Sequence, residues 1–127
     1  MNSVLSSAQS NTIIEALVNF DCAVIYLFGS YSKQTAHPGS DIDIAFLPSK
    51  TVTPLDCFYL GSTLSEKLGK PVDLVDLSNA STVFAKEIVA YGTPLFIGNT
   101  LRYHTFEMYT LSDYARLNEE RREILAG

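Results

Sequence analysis

The feature that most restricts this chain is a pair of aspartates, Asp41 and Asp43, inside the apolar segment DIDIAFL. Side chains of a β-strand alternate between its faces, so the two carboxylates point the same way, roughly 6–7 Å apart along the strand. Ile42 and Ile44 then point to the other face and into the core. Carboxylates sharing one face repel and raise each other's pKa unless a cation neutralises them. The alternative is a strand whose acidic face is simply exposed to solvent.

A second acidic segment, VDLVDL at residues 72–77, repeats this pattern. It puts Asp73 on one face and Asp76 on the other, where a strand-end or loop hydrogen bond is the favoured role. If the two strands are neighbours, Asp73 completes a cluster of three acids. All-oxygen clusters suit Mg²⁺ or Mn²⁺ and not zinc. Such ions could activate an attacking oxygen and stabilise a leaving one in phosphoryl or nucleotidyl transfer.

The dipeptide Gly29-Ser30 ends another apolar strand, ten residues before Asp41. Glycine lets a phosphate approach the backbone closely. Ser30 offers a hydroxyl and a backbone N–H, and the residues after it could begin a short helix whose N-terminus attracts anions. A tight turn is the structural alternative, but the combination with the two aspartates favours a triphosphate site.

Hydrophobic periodicity and cap residues predict alternating helices and strands. The first helix is predicted to be capped by Ser10 or Asn11, and the second to be closed by Gly69. The last strand is expected at a sheet edge because of its proline. The length favours one small α/β domain covering residues 1–127. Predicted helices span 11–20, 54–68, 81–91 and 99–126, and predicted strands span 23–28, 41–47, 72–77 and 94–97.

Composition excludes several classes of protein. A net charge of −5 argues against a general binder of nucleic acids or anionic membranes. No apolar run is long enough to cross a bilayer, and the first residues lack the features of a signal peptide. Cys22 and Cys57 have no metal or redox spacing and are expected to be reduced, buried thiols. A cytoplasmic protein is therefore expected.

The segment GSYSKQTAHPGSDID resembles the Gly-Ser-x10-Asp-x-Asp signature of the polymerase-β-like nucleotidyltransferase superfamily. From residue 11 to the last helix, the chain is similar to the minimal nucleotidyltransferases of that superfamily. SDIDIAFL, VDLVDL and ASTVF resemble in particular the antitoxins encoded beside HEPN-family RNase toxins. The resemblance implies a small, twisted mixed sheet flanked by helices, with a long C-terminal helix.

The resemblance also implies the roles of individual residues. Asp41, Asp43 and Asp73 would hold Mg²⁺ or Mn²⁺, and Asp73 would help to activate the acceptor hydroxyl. Lys33 stands where many relatives carry arginine and could meet a phosphate as a point charge, whereas Gln34 stands where many carry glycine. The implied catalytic residues are Gly29, Ser30, Asp41, Asp43 and Asp73, and the implied nucleotide-binding residues are Gly29, Ser30, Lys33, Asp41 and Asp43.

The function implied is that of an antitoxin in a type VII-like toxin–antitoxin pair. It would move AMP from ATP to a tyrosine of its HEPN-family partner and so silence that toxin. One alternative is a small-molecule nucleotidyltransferase of the aminoglycoside type, which the short chain disfavours because such enzymes usually carry an acceptor-binding domain. Another is a non-catalytic antitoxin that acts by binding, which has no need for three crowded acids.

Three further features have competing interpretations. Tyr31 could stack on a base or simply cover the loop, and His37 is expected to be exposed or to stabilise its loop. The last helix would be roughly 40 Å long. Either its first half packs on the sheet and its second half is solvated, or the helix also docks the partner.

Overall fold

The computed structural model describes residues 5–33, 35–37 and 39–126. Strands and helices alternate as predicted, and the chain ends in a helix of 27 residues. Two short 3-10 turns, Val18–Phe20 and Leu77–Asn79, follow the first helix and the third strand. The elements are α1 Ser7–Leu17, β1 Val24–Phe28, β2 Ile42–Leu47, α2 Pro54–Leu68, β3 Val72–Asp76, α3 Thr82–Tyr91, β4 Thr93–Ile97 and α4 Thr100–Ala126.

The four strands form one mixed sheet in the order β3-β2-β1-β4. β1 is antiparallel to both of its neighbours, whereas β2 and β3 are parallel. A parallel pair needs a long crossover connection, and α2 provides it. β4 lies at an edge and carries Pro94, so the predicted edge position and the predicted mixed α/β sheet are both confirmed.

Alternation along β2 divides the core between the two faces of the sheet. Ile42 and Ile44 are fully buried on one face, where α1 and α2 pack through Ile13 and Leu64. Ala45 belongs to the opposite face, which α3 and α4 cover. The predicted inward direction of Ile42 and Ile44 is confirmed. Asp43, which lies between them, shares the α3 and α4 face with Ala45 because successive side chains alternate.

α1 begins earlier than the sequence pattern suggested. Its N-cap is Ser6, whose Oγ accepts a 3.1 Å hydrogen bond from the N–H of Gln9, and Gln9 Oε1 accepts a 2.8 Å bond from the Ser6 N–H. This reciprocal capping box satisfies two free N–H groups at the helix start. The predicted cap at Ser10 or Asn11 was wrong because hydrophobic periodicity does not detect the polar first turn.

The ends of α2 and β3 are set by local structure. Gly69 closes α2 in the left-handed conformation, with φ of 69°, as predicted. β3 ends at Asp76, one residue before the predicted limit at Leu77. The Asp76 carboxylate accepts a 2.8 Å bond from the N–H of Ser78 and so starts the 3-10 turn. The predicted strand-end role of Asp76 is confirmed.

α4 packs only part of its apolar surface. Tyr103 and Phe106 lie against the core beneath α3, and Glu107 accepts a 2.9 Å hydrogen bond from the buried Tyr26 hydroxyl. Arg102 donates to the Pro48 carbonyl at 3.3 Å and fixes the start of the helix on the far end of β2. Across the described ranges, no helix has the length and apolar character required to cross a membrane.

Candidate active site

Asp43 and Asp73 lie side by side on neighbouring strands. They are partners in the parallel β2–β3 register, so their carboxylates share one face of the sheet. Burial raises the pKa of Asp43 above its ordinary value of 3.8, and the charge and hydrogen bond of Asp73 raise it further, followed by the charge of Asp41. The structure therefore pairs Asp43 with Asp73, and the charge of Asp41 acts on Asp43 more weakly than that of Asp73.

Asp41 is more exposed to solvent than Asp43. It precedes the first residue of β2 and is exposed, whereas Asp43 is half-buried. Within the described ranges, no three acidic, imidazole or thiol side chains are grouped so that they could hold a metal ion by themselves. Any ion at these acids must take further ligands from water or a substrate.

Gly29 lies directly against Asp43. Its φ of 70° is in the left-handed region, and a Cβ at this position would meet the Asp43 carboxylate, 3.2 Å from Cγ and closer still to Oδ2. The sequence suggested glycine for the approach of a phosphate. The structure adds a second reason, since the backbone of the loop already touches the carboxylate that shares the site.

The residues after Gly29 form one helical turn and not the short helix that was predicted. The Lys33 N–H donates to the Gly29 carbonyl at 3.1 Å, and the Thr35 N–H donates to the Ser30 carbonyl at 2.9 Å. Ser32 Oγ donates to the Tyr91 carbonyl at 2.9 Å and so ties this turn to the end of α3. These bonds fix the backbone of the turn that carries Ser30.

Lys33 is exposed near the same turn. It lines a small cavity of about 150 Å³ together with Gly29, Phe84 and Glu87. Lys33 is the one cation among the predicted nucleotide-binding residues, and it lines the same cavity as Gly29. Gln34, the other position flagged in this loop, lies outside the described residues.

The structure decides the role of Tyr31, which the sequence left undecided. Its ring is buried, its hydroxyl accepts a hydrogen bond from Lys70, and the Lys70 ammonium lies 5.1 Å from the ring centre. Tyr31 therefore covers the loop and cannot offer its face to a base. The contact joins the turn that carries Ser30 to the residues just before β3, which carries Asp73. The two residues are 39 positions apart, and nothing in the sequence indicates that they are in contact.

His37 stabilises its own loop, as expected. It is exposed, its Nδ1 accepts a 3.1 Å bond from the Gly39 N–H, and its backbone N–H donates to Ser40 Oγ at 2.9 Å. These bonds shape the chain immediately before Asp41 and leave the imidazole no contact with the acids.

A mixed sheet with a Gly-Ser turn set against paired aspartates is the architecture of a nucleotidyltransferase. Residues 11–100 match the family model described as polymerase beta, nucleotidyltransferase, and the chain belongs to that family. The predicted fold class and the predicted enzyme class are confirmed.

Among characterised proteins, the chain is similar to the protein adenylyltransferase MntA of Shewanella oneidensis. The two are 42% identical over 102 residues, which cover 80% of this chain and 73% of that protein. This relative places the similarity in a particular branch of the family, the one that the sequence motifs resembled.

Two solved structures have closely similar folds. A crystal structure of a toxin–antitoxin with AMP-PNP has a TM-score of 0.82 and 39% identity, covering 92% of this chain and 95% of that one. The MNT antitoxin in a complex with a tri-AMPylated HEPN toxin of Shewanella oneidensis has a TM-score of 0.79 and 35% identity, covering 96% and 97%. Both are complexes of antitoxins with toxins, and one contains an ATP analogue.

Proposed function

We propose that this chain is an antitoxin that transfers AMP from ATP to a tyrosine of a HEPN-family RNase toxin and thereby inactivates it. The observation that carries the proposal is the Asp43–Asp73 pair on adjacent strands, with Asp43 directly against Gly29. The similarity to an adenylyltransferase supports AMP transfer as the reaction. The similarity to an antitoxin in a complex with an AMPylated HEPN toxin supports the toxin as acceptor, and that to a toxin–antitoxin with AMP-PNP supports ATP as donor. Residues 1–127 would act as one minimal, cytoplasmic nucleotidyltransferase domain.

The nucleotide is proposed to bind at the Gly29-Ser30 turn. The absence of a side chain at Gly29 lets the turn lie against Asp43, and the Ser30 hydroxyl and N–H are donors suited to phosphate oxygens. Lys33 is exposed close by and would contribute a positive charge to the triphosphate. Gly29, Ser30 and Lys33 would thus bind ATP, with Asp41 and Asp43 reaching it through a shared cation.

Asp41, Asp43 and Asp73 are a donor set that fits Mg²⁺ or Mn²⁺. Their oxygens are the hard ligands these ions prefer. The pKa of Asp43 is raised first by burial and then by Asp73, and a bound cation would offset both effects by stabilising the charged carboxylate. Mg²⁺ commonly binds through one or two carboxylates plus substrate phosphates, so an incomplete protein shell is compatible with it. When bound, the ion would neutralise negative charge on the phosphates.

Asp73 is proposed as the acceptor of the proton in the transfer step. The phenolic oxygen of the partner's tyrosine forms a bond to the α-phosphorus of ATP, and the bond from that phosphorus to the bridging oxygen breaks. Pyrophosphate leaves, and the phenolic proton passes to Asp73. Asp73 is an exposed carboxylate on the strand next to Asp43, and a carboxylate within hydrogen-bond reach of the attacking hydroxyl can act as its general base.

The proposal is tested by co-expressing the chain with its genetic partner and measuring the partner's mass. AMP additions on tyrosine are expected with the unaltered chain and are expected to vanish with Asp43→Asn. Asp113→Asn, which alters an exposed carboxylate on α4, is the matched control and should leave modification intact. A partner that is inhibited but never modified would instead establish an antitoxin that acts by binding alone.

A further inference from the structure

Two residues outside the Gly-Ser and Asp-x-Asp motifs link the proposed nucleotide-binding turn to the strands that carry the acids. Tyr31 follows Ser30 directly, and Lys70 lies between the end of α2 and the start of β3. The Lys70 ammonium donates a hydrogen bond to the Tyr31 hydroxyl and lies 5.1 Å from the centre of the Tyr31 ring. The contact therefore spans two parts of the site that are distant in sequence.

The backbone at Lys70 is fixed relative to both acidic strands. The carbonyl of the next residue, Pro71, accepts a 3.0 Å hydrogen bond from the N–H of Ile42, which stands between the two aspartates of the Asp-x-Asp motif. Val72 then begins β3, and its N–H donates to Ser65 Oγ on α2 at 3.0 Å. Lys70 is thus one residue from a bond to β2 and three residues before the acid of β3.

Tyr31 is fixed at the other end of this contact. Its side chain is buried in the same core cluster as Ile42 and Leu64, on the face of the sheet covered by α1 and α2. A close-packed interior resists displacement of such a ring, and consecutive Cα atoms are only about 3.8 Å apart, so the ring restricts the position of the Ser30 backbone. The Asp43 carboxylate lies on the opposite face, so the contact acts on the site through the backbone.

Lys33 and Lys70 have different surroundings. Lys33 is exposed and lines the same cavity as Gly29, where it can meet a phosphate. Lys70 is half-buried and directs its ammonium at Tyr31. Hydrogen bonds from an ionised donor are among the stronger ones in proteins, and burial of the Tyr31 ring limits competition from water. The contact of Lys70 is therefore suited to holding the turn and not to binding a ligand.

We propose that Lys70 and Tyr31 are a positioning pair, which sets the distance between the phosphate-binding turn at Ser30 and the acids at Asp41 and Asp43. The triphosphate has to reach the turn and the cation held by the acids at the same time, so a small displacement of one relative to the other weakens binding of the nucleotide. The inference rests on the proposed function and adds to it two residues that position the site without touching the nucleotide.

Removal of the Lys70 ammonium is the first test, made with the purified toxin partner as substrate and with ATP and Mg²⁺ present. Lys70→Met keeps a long, unbranched side chain but has no donor, and it is expected to raise the KM for ATP on the order of tenfold, with the KM for the protein substrate unchanged. Lys70→Arg keeps a charged donor and should restore the KM. Lys67→Met removes the same charge from the last turn of α2 and is the matched control. A Lys70→Met variant that unfolds at lower urea but keeps its KM for ATP would overturn the proposal.

A double substitution is the second test, and it separates positioning from direct contact with a phosphate. Tyr31→Phe removes the hydroxyl that accepts the bond and keeps the buried ring, so it should raise the KM for ATP to a similar extent. Adding Lys70→Met to Tyr31→Phe should then change the KM little further, because the two residues act as a unit. A full additional rise would mean that Lys70 acts on the nucleotide directly, and the proposal would be wrong.

Calorimetry with AMP-PNP separates the positioning pair from the proposed function, because binding of this analogue requires no transfer. Weaker binding by Lys70→Met than by Lys67→Met would support the pair even if no toxin is modified, and the proposed function alone would then have failed. Equal binding by the two variants would overturn the pair, whatever the transfer activity of the unaltered chain.

Discussion

At the scale of single residues, Gly29 has two separable reasons to be glycine. Its backbone is left-handed, which costs a residue with a Cβ roughly 1–2 kcal/mol, and the space a Cβ would need is taken by the Asp43 carboxylate. Gly69 has almost the same φ, 69°, but nothing lies within 4 Å of the position of its missing Cβ. The two glycines therefore separate backbone strain from steric conflict.

We expect Gly69→Ala to lower the free energy of unfolding by about 1 kcal/mol and to leave AMP transfer unchanged. Gly29→Ala should cost more, because strain and conflict add, and should abolish transfer by displacing Asp43. Urea unfolding and a transfer assay on both variants measure this. Equal destabilisation by the two substitutions would show that the loop yields to the new methyl group without displacing the carboxylate.

The pKa of Asp43 gives a pH dependence with a definite sign. Because burial and then Asp73 raise the folded-state pKa above 3.8, the folded protein binds the proton more tightly than the unfolded chain does. Stability therefore falls as the pH rises from about 3.8 through the folded-state pKa, and Asp43 destabilises the fold at pH 7.

Asp43→Asn should consequently increase the free energy of unfolding at pH 7, and this gain should shrink as the pH falls towards 3.8. Thermal unfolding across that pH range, without divalent ions, measures the difference. Mg²⁺ with ATP should stabilise the unaltered chain by mass action and the variant far less. A variant that is less stable at pH 7 would contradict the assigned repulsion.

The sequence identified Asp43 and Asp73 as candidate site residues because a carboxylate is costly to bury within an apolar strand. Their contact still depended on β2 and β3 being neighbours, which the structure supplies through the α2 crossover. The contact between Tyr31 and Lys70 gives no such signal, since both residue types are unremarkable in a loop. Tertiary contacts between ordinary residues are what the sequence could not predict.

At the scale of elements, α4 combines a packed face with an unpaired one. Tyr103 and Phe106 contact the core, whereas Leu101, Met108 and Tyr109 are 77%, 61% and 61% exposed. Residues 119–125, which complete its charged end, are exposed as well. Several apolar side chains of α4 therefore stay uncovered by this chain.

Deletion of residues 118–127 tests whether the end of this helix contributes to docking. If it does, partner binding and modification should weaken together, while ATP binding stays unchanged because none of the proposed nucleotide-binding residues lies in the deleted segment. Calorimetry with the partner and with an ATP analogue measures both. Unaltered affinity for the partner would move the docking surface away from the end of α4.

At the scale of the whole molecule, the sheet joins near and distant parts of the chain. β1 and β2 are consecutive along the chain and pair directly, and β3 follows after one helix. β4 is different, because it pairs with β1, as in Val24 with Ile97, only after the rest of the sheet has been traversed. Periodicity predicted all four strands but carries no information on this order.

The distant β1–β4 pairing has a consequence for folding kinetics. Closing that long loop costs more chain entropy than forming β1–β2, so β4 should dock after the rate-limiting step. Leu95→Ala, at the one half-buried position of the otherwise exposed β4, should then chiefly accelerate unfolding, by on the order of tenfold per 1.4 kcal/mol lost. Ile44→Val, in central β2, should chiefly slow refolding. Stopped-flow mixing in urea measures both rates, and a slower refolding of Leu95→Ala would contradict late docking. Since every candidate site residue precedes β4 in the chain, the catalytic centre would assemble before the sheet is closed.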